Sequence, residues 1–308
     1  MTDRIRSALA HIPASDRALW VEAGMALHSE LRDGGRDIWE SWSMQAENYN
    51  AAAAASVWRS FKAGSITIAS LYHRAIEHGW IPDKGYQPPS QDELQARQRA
   101  NAERDRAECL QRDKARAEAA RKAAWMVNQC KLEQHAYLEY KGWPDMTGLV
   151  WRPDPENNLL LIPMSISGAL VGCQMIDRTG AKKFLKGQRT SGAEFVIGTK
   201  GRDWLVEGYA TGLSLRDCLA ALKQHYRIHV CFSAGNLVKV AQRLPGCLVV
   251  ADNDESGAGK AAAEKTGRPF WMSDRVGEDL NDCCRRVKLF KASQSIRKFI
   301  LDTPKCIP

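Results

Sequence analysis

The chain has 308 residues, is 44% hydrophobic and carries a formal net charge of +8. That length accommodates two domains of ordinary size, and no apolar run reaches the ~18 residues of a membrane span. The first residues, Met-Thr-Asp-Arg-Ile-Arg, lack a secretory apolar core, so a cytoplasmic protein without a membrane partner is expected, and the basic charge favours polyanionic ligands.

Residues 1–82 read as a helical domain. Leu19, Trp20, Ala23, Leu27 and Leu31 recur at helical spacing, followed by Trp39 and Trp42, then Leu71, Tyr72, Ala75 and Ile76. Two roles are open for the aromatic residues of this segment, Trp20, Trp39, Trp42, Tyr72 and the Trp58/Phe61 pair, of which four could stack bases. Large side chains are what a small domain needs to bury enough surface, and exposed rings would stack bases of a single strand. Residues 83–130 form a Pro-marked linker and a charged spacer helix. Pro82, Pro88 and Pro89 break any helix, Ser90 with Glu93 is a capping-box signature, and the Ala-, Arg- and Glu-rich run from Gln91 to about Lys131 has few apolar residues before Trp125, Met126 and Val127.

From residue 131 the pattern changes. Residues 131–200 are expected to be a small α+β subdomain with strands at Leu159–Met164, Ala169–Ile176 and Phe195–Ile197. Residues 201–308 alternate strand and helix. Strands are expected at Trp204–Val206, Ile228–Cys231, Leu248–Ala251 and Arg268–Trp271, and helices at Gly212–His225, Leu237–Leu244, Ala258–Lys265 and Ser293–Leu301. Such alternation gives an α/β fold, a mostly parallel sheet flanked by helices.

Two of these strands end in acids. Glu207 closes Trp204-Leu205-Val206 ahead of Gly208, and Asp252 and Asp254 follow Leu248-Val249-Val250-Ala251 ahead of Gly257. Side chains there sit at the carboxyl edge of a parallel sheet, where ligands of such sheets collect. Gly208 and Gly257 are expected to form the backbone turns. Taken singly, each acid reads equally as a strand-end charge or a helix cap. Together they form a set of hard oxygen ligands suited to Mg²⁺ or Mn²⁺. Asp279 and Asp282 form a weaker third cluster, either ligand or cap. The nine cysteines have no zinc-type spacing, and Cys283-Cys284 are adjacent, so no zinc is expected and the thiols read as reduced core residues.

Val-Glu-Gly followed by Asp-x-Asp-x-x-x-Gly resembles the Toprim domain of primases and topoisomerases. The wording Glu207-Gly208-Tyr209-Ala210-Thr211-Gly212-Leu213-Ser214 is similar to the Toprim primases of phages and conjugative plasmids. Upstream, Leu160 to Gly168, Gln174 to Arg178 and Lys182-Lys183-Phe184-Leu185 are similar to the polymerase-like subdomain that precedes Toprim in replicative primases, so the likeness covers about residues 131–300. Residues 5–80 look like the helical domain called primase C-terminal type 2, through Trp20-Val21, Trp39-Glu40-Ser41-Trp42-Ser43 and Trp58-Arg59-Ser60-Phe61.

The resemblance implies a DNA primase that makes short primers on single-stranded DNA from nucleoside triphosphates. It makes Glu207 the acid/base residue or a metal ligand, gives Asp252 and Asp254 to the metal with Asp279 as an auxiliary, and assigns Arg152, Arg178, Lys182, Lys183, Lys186 and Arg189 to nucleotide and template. A replicative helicase is the candidate partner. The chain departs from replicative primases at Thr211, where they carry an Asp, and it shows no zinc-module spacing. The competing readings are a Toprim nuclease that cleaves DNA, and a non-catalytic single-strand-binding adaptor. The absence of any G-x-x-x-x-G-K-[ST] run counts against the ATPase-linked nucleases and against a built-in helicase.

Overall fold

Tryptophans hold together the first of the two units into which the chain divides, residues 1–97 and 98–308. The computed structural model describes residues 2–61, 66–82, 91–154 and 157–303. In the first unit five helices, α1 (Thr2–Leu9), α2 (Arg17–Leu31), α3 (Arg36–Ser43), α4 (Ala51–Ser60) and α5 (Ile68–Glu77), enclose Trp20, Trp39, Trp42, Trp58 and Phe61. All five rings are buried, Trp39 completely. Three of the four indoles are satisfied inside: Trp20 Nε1 donates to Ser43 Oγ at 2.7 Å, Trp39 Nε1 to the Trp20 carbonyl at 3.0 Å, and Trp42 Nε1 to the Ile12 carbonyl at 3.2 Å, whereas the buried Trp58 Nε1 has no partner. Buried tryptophans with internal partners are core residues, not a stacking platform for bases. The linker expected at 83–90, with its Ser90 cap, lies outside the described residues, as does Cys306.

The spacer helix is present as α6 (Gln91–Gln129), but its end is not solvated. Ala119, Ala123 and Met126 are buried against Leu161, Cys173 and Leu185. Small side chains at helical spacing let its last turns lie close on a sheet, so these turns belong to the core of the second unit.

That sheet contains β1 (Lys131–Gln134), β2 (Thr147–Trp151), β3 (Leu159–Ile166), β4 (Ala169–Ile176) and β5 (Lys182–Phe184), in order and antiparallel throughout, with α7 (Ala136–Lys141) between the first two. The sequence reading anticipated β3 and β4 and passed over β1, α7, β2 and β5. A second sheet contains β6 (Phe195–Ile197), β7 (Arg202–Val206), β8 (Tyr226–Val230), β9 (Leu248–Ala251) and β10 (Phe270–Met272), in the order β10-β9-β7-β8-β6. Its pairings are parallel except for the edge pair of β6 with β8.

Helices α8 (Tyr209–Ala221) and α11 (Leu280–Asp302) contribute to the core cluster containing Trp204, Val206, Ile228, Val230, Leu248 and Val250. Helix α9 (Ala234–Ala241) and Ala263 of α10 (Ala258–Thr266) contribute to a second cluster with Leu205, Val249 and Ala251. Even and odd positions of the strands therefore face different helix layers, as strand alternation requires. Helix α8 starts just after Gly208, three residues earlier than expected. Helix α11 starts at Leu280 and is interrupted at Lys288 (φ +70°). The first sheet shares the larger cluster through Tyr137, Leu138, Leu160, Ile162 and Ile176, so both sheets are fixed by one core. The described cysteines are free, five of them buried. No helix among the described residues is long and apolar enough to cross a membrane.

Candidate functional site

Register places the two strand-end acids side by side. Val206 of β7 pairs with Val250 of β9, so Glu207 and Asp252 leave adjacent parallel strands at the same edge. Asp279 joins them through a second fastening. The Asn253 amide donates to the Glu278 carbonyl at 3.0 Å, and Asn253 Nδ2 to the Ser273 carbonyl at 3.0 Å, which ties the loop after β9 to the residues that open α11. Asp279 is the N-cap of that helix: one carboxylate oxygen accepts from the Asp282 amide at 2.9 Å, and the other from Thr211 Oγ1 at 3.3 Å. Thr211, where a further carboxylate was noted as missing, is a buried hydroxyl that orients Asp279.

Glu207, Asp252 and Asp279 form one side of a cavity of about 190 Å³. The other side comes from the first sheet and its helix: Tyr137 and Lys141 of α7, Gln174 of β4 and Lys182 of β5, with Phe232 at the edge. Carboxylates on one sheet thus face Lys182 from the other, while the Lys141 ammonium lies 5.9 Å from the centre of the Tyr140 ring. Burial, and then the charges of Asp279 and Glu207, push the Asp252 carboxyl up to about 7, with Lys182 pulling the other way. Burial and Asp254 raise Glu207, again against Lys182. Asp252 Oδ1 is buried and has no hydrogen-bond partner.

Asp254 does not line the cavity. Its carboxylate accepts from Ser256 Oγ, from the Ala258 amide at 3.1 Å and from the Gly259 amide at 2.7 Å. These bonds, that from Ser256 foremost, hold its carboxyl down at about 2. It serves the first amides of α10, whose N-cap is Gly257, and it reaches the cavity as a charge. Two glycines permit this turn. Gly257 has φ +69°, and a Cβ on Gly259 would lie 2.1 Å from the Asp252 carbonyl oxygen. Gly208 is different: its φ is −101° and a Cβ would meet only Thr211 Oγ1 at 3.4 Å, so that turn does not demand a glycine.

The sequence-expected basic residues separate. Lys182 pairs across from Ile176 and Phe184 from Gln174, so Lys182 shares a sheet face with the buried Gln174. Lys183 pairs with Met175 and points to the opposite face. Arg178, Lys186 and Arg189 are exposed and do not line the cavity. Arg152 is ion-paired with Glu133, away from the cavity lining. Sequence reasoning missed Tyr137, Lys141, Gln174 and Phe232. Gln174 carried a signal, a polar residue inside an apolar strand, whereas Tyr137 and Lys141 sit on a six-residue helix with no periodicity to read.

Among the described residues, no group of three or more His, Cys, Asp or Glu side chains is placed to hold a metal ion by itself. The oxygen-only donor set, the unpartnered Asp252 Oδ1 and the surplus of negative charge fit a hard divalent cation that completes its shell with water or ligand oxygens.

Residues 5–75 match the family Primase C terminal 2 (PriCT-2), so the N-terminal unit contains a primase-related domain. Among solved structures, the chain is similar to one described as the crystal structure of a DNA primase domain from Pseudomonas aeruginosa, at 15% identity and a TM-score of 0.32, over 58% of this chain and 58% of that chain.

Proposed function

We propose that the protein is a DNA primase of the Toprim type, from a phage, prophage or plasmid replication system, and that the cleft between the two sheets is its catalytic centre. The observation that carries this is the opposition of Glu207, Asp252 and Asp279 to Lys141 and Lys182 across one cavity. A nucleoside triphosphate fits such a place, with phosphate oxygens against the lysines and cations shared with the carboxylates. The match of residues 5–75 supports a priming role over that of a nuclease.

Mg²⁺ or Mn²⁺ would be held by Asp252 with Glu207 or Asp279, and would supply charge neutralisation for the reacting phosphates. The chain's own groups do the rest. Lys141 and Lys182 bind and orient the triphosphate as point charges. Glu207, with its carboxyl raised by burial, is suited to take the proton of the attacking 3′-hydroxyl. The new bond joins that oxygen to the α-phosphorus, the α–β bridge breaks, and pyrophosphate leaves. Asp254 and Thr211 act at one remove, the first fixing α10 and the second fixing Asp279. Single-stranded template is assigned to the exposed cations Arg178, Lys183, Lys186 and Arg189, and a replicative helicase is the partner such an enzyme would serve.

The test is primer synthesis: labelled nucleoside triphosphates, a single-stranded template, and Mg²⁺ or Mn²⁺. Short extended products that vanish in Glu207→Gln support the reading. Template nicking without synthesis would replace it with a nuclease, and inactivity with retained strand binding would replace it with an adaptor.

A further inference from the structure

The cleft holds two buried polar atoms without a partner. One is Asp252 Oδ1 and the other is the hydroxyl of Tyr137, a residue only 2% exposed. Buried polar atoms in native proteins nearly always find a partner, so an orphaned pair in one cavity marks where a ligand supplies the missing bonds. The two atoms differ in sense. Asp252 offers an acceptor, which suits a cation. Tyr137 offers a donor, which suits an oxyanion.

The geometry points to Tyr137 as a substrate-binding residue whose hydroxyl donates a hydrogen bond to a phosphate oxygen of a nucleoside triphosphate in the cleft. This rests on reading the cleft as the nucleotide site. The phenol cannot easily turn elsewhere. Helix α7 is pinned at its start, where the Tyr137 amide donates to His135 Nδ1 at 3.2 Å and His135 Nε2 bonds the Asn158 carbonyl at 3.1 Å. The ring lies beneath the turn at Gly180, whose Cβ position is 3.6 Å from Tyr137 Cδ2. Burial and the Asp279 charge raise the phenol, so it stays protonated and a donor across the working pH range. Lys141, one turn further along the same helix, lines the same cavity.

Tyr137→Phe removes one oxygen that makes no hydrogen bond within the protein, so the variant should fold at least as stably as the wild type. Binding is measured by calorimetry with three probes in Mg²⁺: α,β-methylene ATP, inorganic tripolyphosphate and adenosine. Loss of a hydrogen bond to a charged group should weaken the first two about 10- to 100-fold and leave adenosine unchanged. In primer synthesis, KM for nucleotide should rise more than kcat falls. Equal affinities for both phosphate probes overturn the inference, as does a loss confined to adenosine, or a wild type that binds no probe. Failure of the underlying reading is separate: it shows as a wild type that makes no primers. A wild type that primes while Tyr137→Phe keeps its KM and affinity leaves that reading standing and removes Tyr137 from it.

Discussion

Replacing Asp252 by Asn should stabilise the protein while abolishing its chemistry. In the folded chain the carboxyl is raised from 3.8 to about 7, by burial first and then by Asp279 and Glu207. A group held above its unfolded value penalises the folded state wherever it must ionise. The penalty is absent below about pH 4, grows as pH rises towards 7, and is constant above that. At roughly 1.4 kcal/mol per pH unit the ceiling is about 4 kcal/mol, and water and side-chain adjustment in the open cleft should reduce it to about 1–2 kcal/mol. Asn carries no charge and sacrifices no hydrogen bond at Oδ1, which has none. Urea unfolding of wild type and Asp252→Asn at pH 4.5, 6, 7.5 and 9 should therefore give curves that coincide at acid pH and diverge above it. Saturating Mg²⁺ should close the gap and reverse it by stabilising the wild type alone, about 2.7 kcal/mol at a hundred times Kd. A variant equally or less stable at pH 9, or one stabilised by Mg²⁺ as much as the wild type, would refute the description of the cleft as a charge surplus awaiting a cation.

Four other outcomes follow from the same geometry. Lys182→Ala should raise nucleotide KM about tenfold and move the acidic limb of the pH–rate profile upward, because Lys182 holds Asp252 and Glu207 down; Lys183→Ala, on the opposite sheet face, should do neither. Thr211→Val, which frees one oxygen of Asp279, should cost about 1 kcal/mol of stability and several-fold in primer synthesis, and Thr211→Ser should restore both. His229 is opposed by burial but bonded to Glu194 at 2.9 Å and Asp203 at 3.0 Å, with Arg243 and Arg227 behind those acids, and is raised overall. Its contribution should be full below about pH 6.5 and lost as pH rises through its folded value, a slope that His229→Gln should flatten in thermal melts. Lys186→Ala with Arg189→Ala should weaken binding of single-stranded DNA and lower its log–log salt slope by about 0.7 per lost contact; an unchanged slope would move the strand path elsewhere.

What could be read in the sequence was whatever is written in long apolar runs. The strands before Glu207 and Asp252 are buried on both faces, so they appear as unbroken hydrophobic segments, and a parallel register then brings their ends together. The facing wall had no such trace. Strand β5 is Lys-Lys-Phe with no buried residue, β1 is Lys-Leu-Glu-Gln at a sheet edge, and α7 has six residues. None of these buries enough apolar surface to impose a period, and all depend on β3 and β4 for their place. Asp254 was ambiguous for another reason. An Asp followed by Ser and two glycines satisfies a helix start as well as a cation, and only the amides of Ala258 and Gly259 decide which of these its oxygens serve.

The single core beneath both sheets is what makes the cleft usable. Leu160, Ile162 and Ile176 from the first sheet share one apolar cluster with Trp204, Val206, Leu248 and Val250 from the second, so the distance between the lysine wall and the carboxylate wall is set by close packing. If the walls moved freely, Lys141 and Lys182 would collapse onto Asp252 and Glu207, the charges would neutralise one another, and the carboxyls would fall to ordinary values. Held apart, the carboxylate wall stays partly unsatisfied: Asp252 remains raised near neutrality, and Oδ1 keeps no partner. A ligand carrying negative oxygens, together with a cation, relieves both walls at once, whereas either alone relieves one. Binding of nucleotide and of divalent cation should therefore be mutually cooperative, and by linkage the factor by which Mg²⁺ tightens the nucleotide equals the factor by which nucleotide tightens Mg²⁺. Calorimetric titration of each in the absence and presence of the other measures both factors. A value near one would mean that the two walls act independently and that the shared core has no part in coupling them.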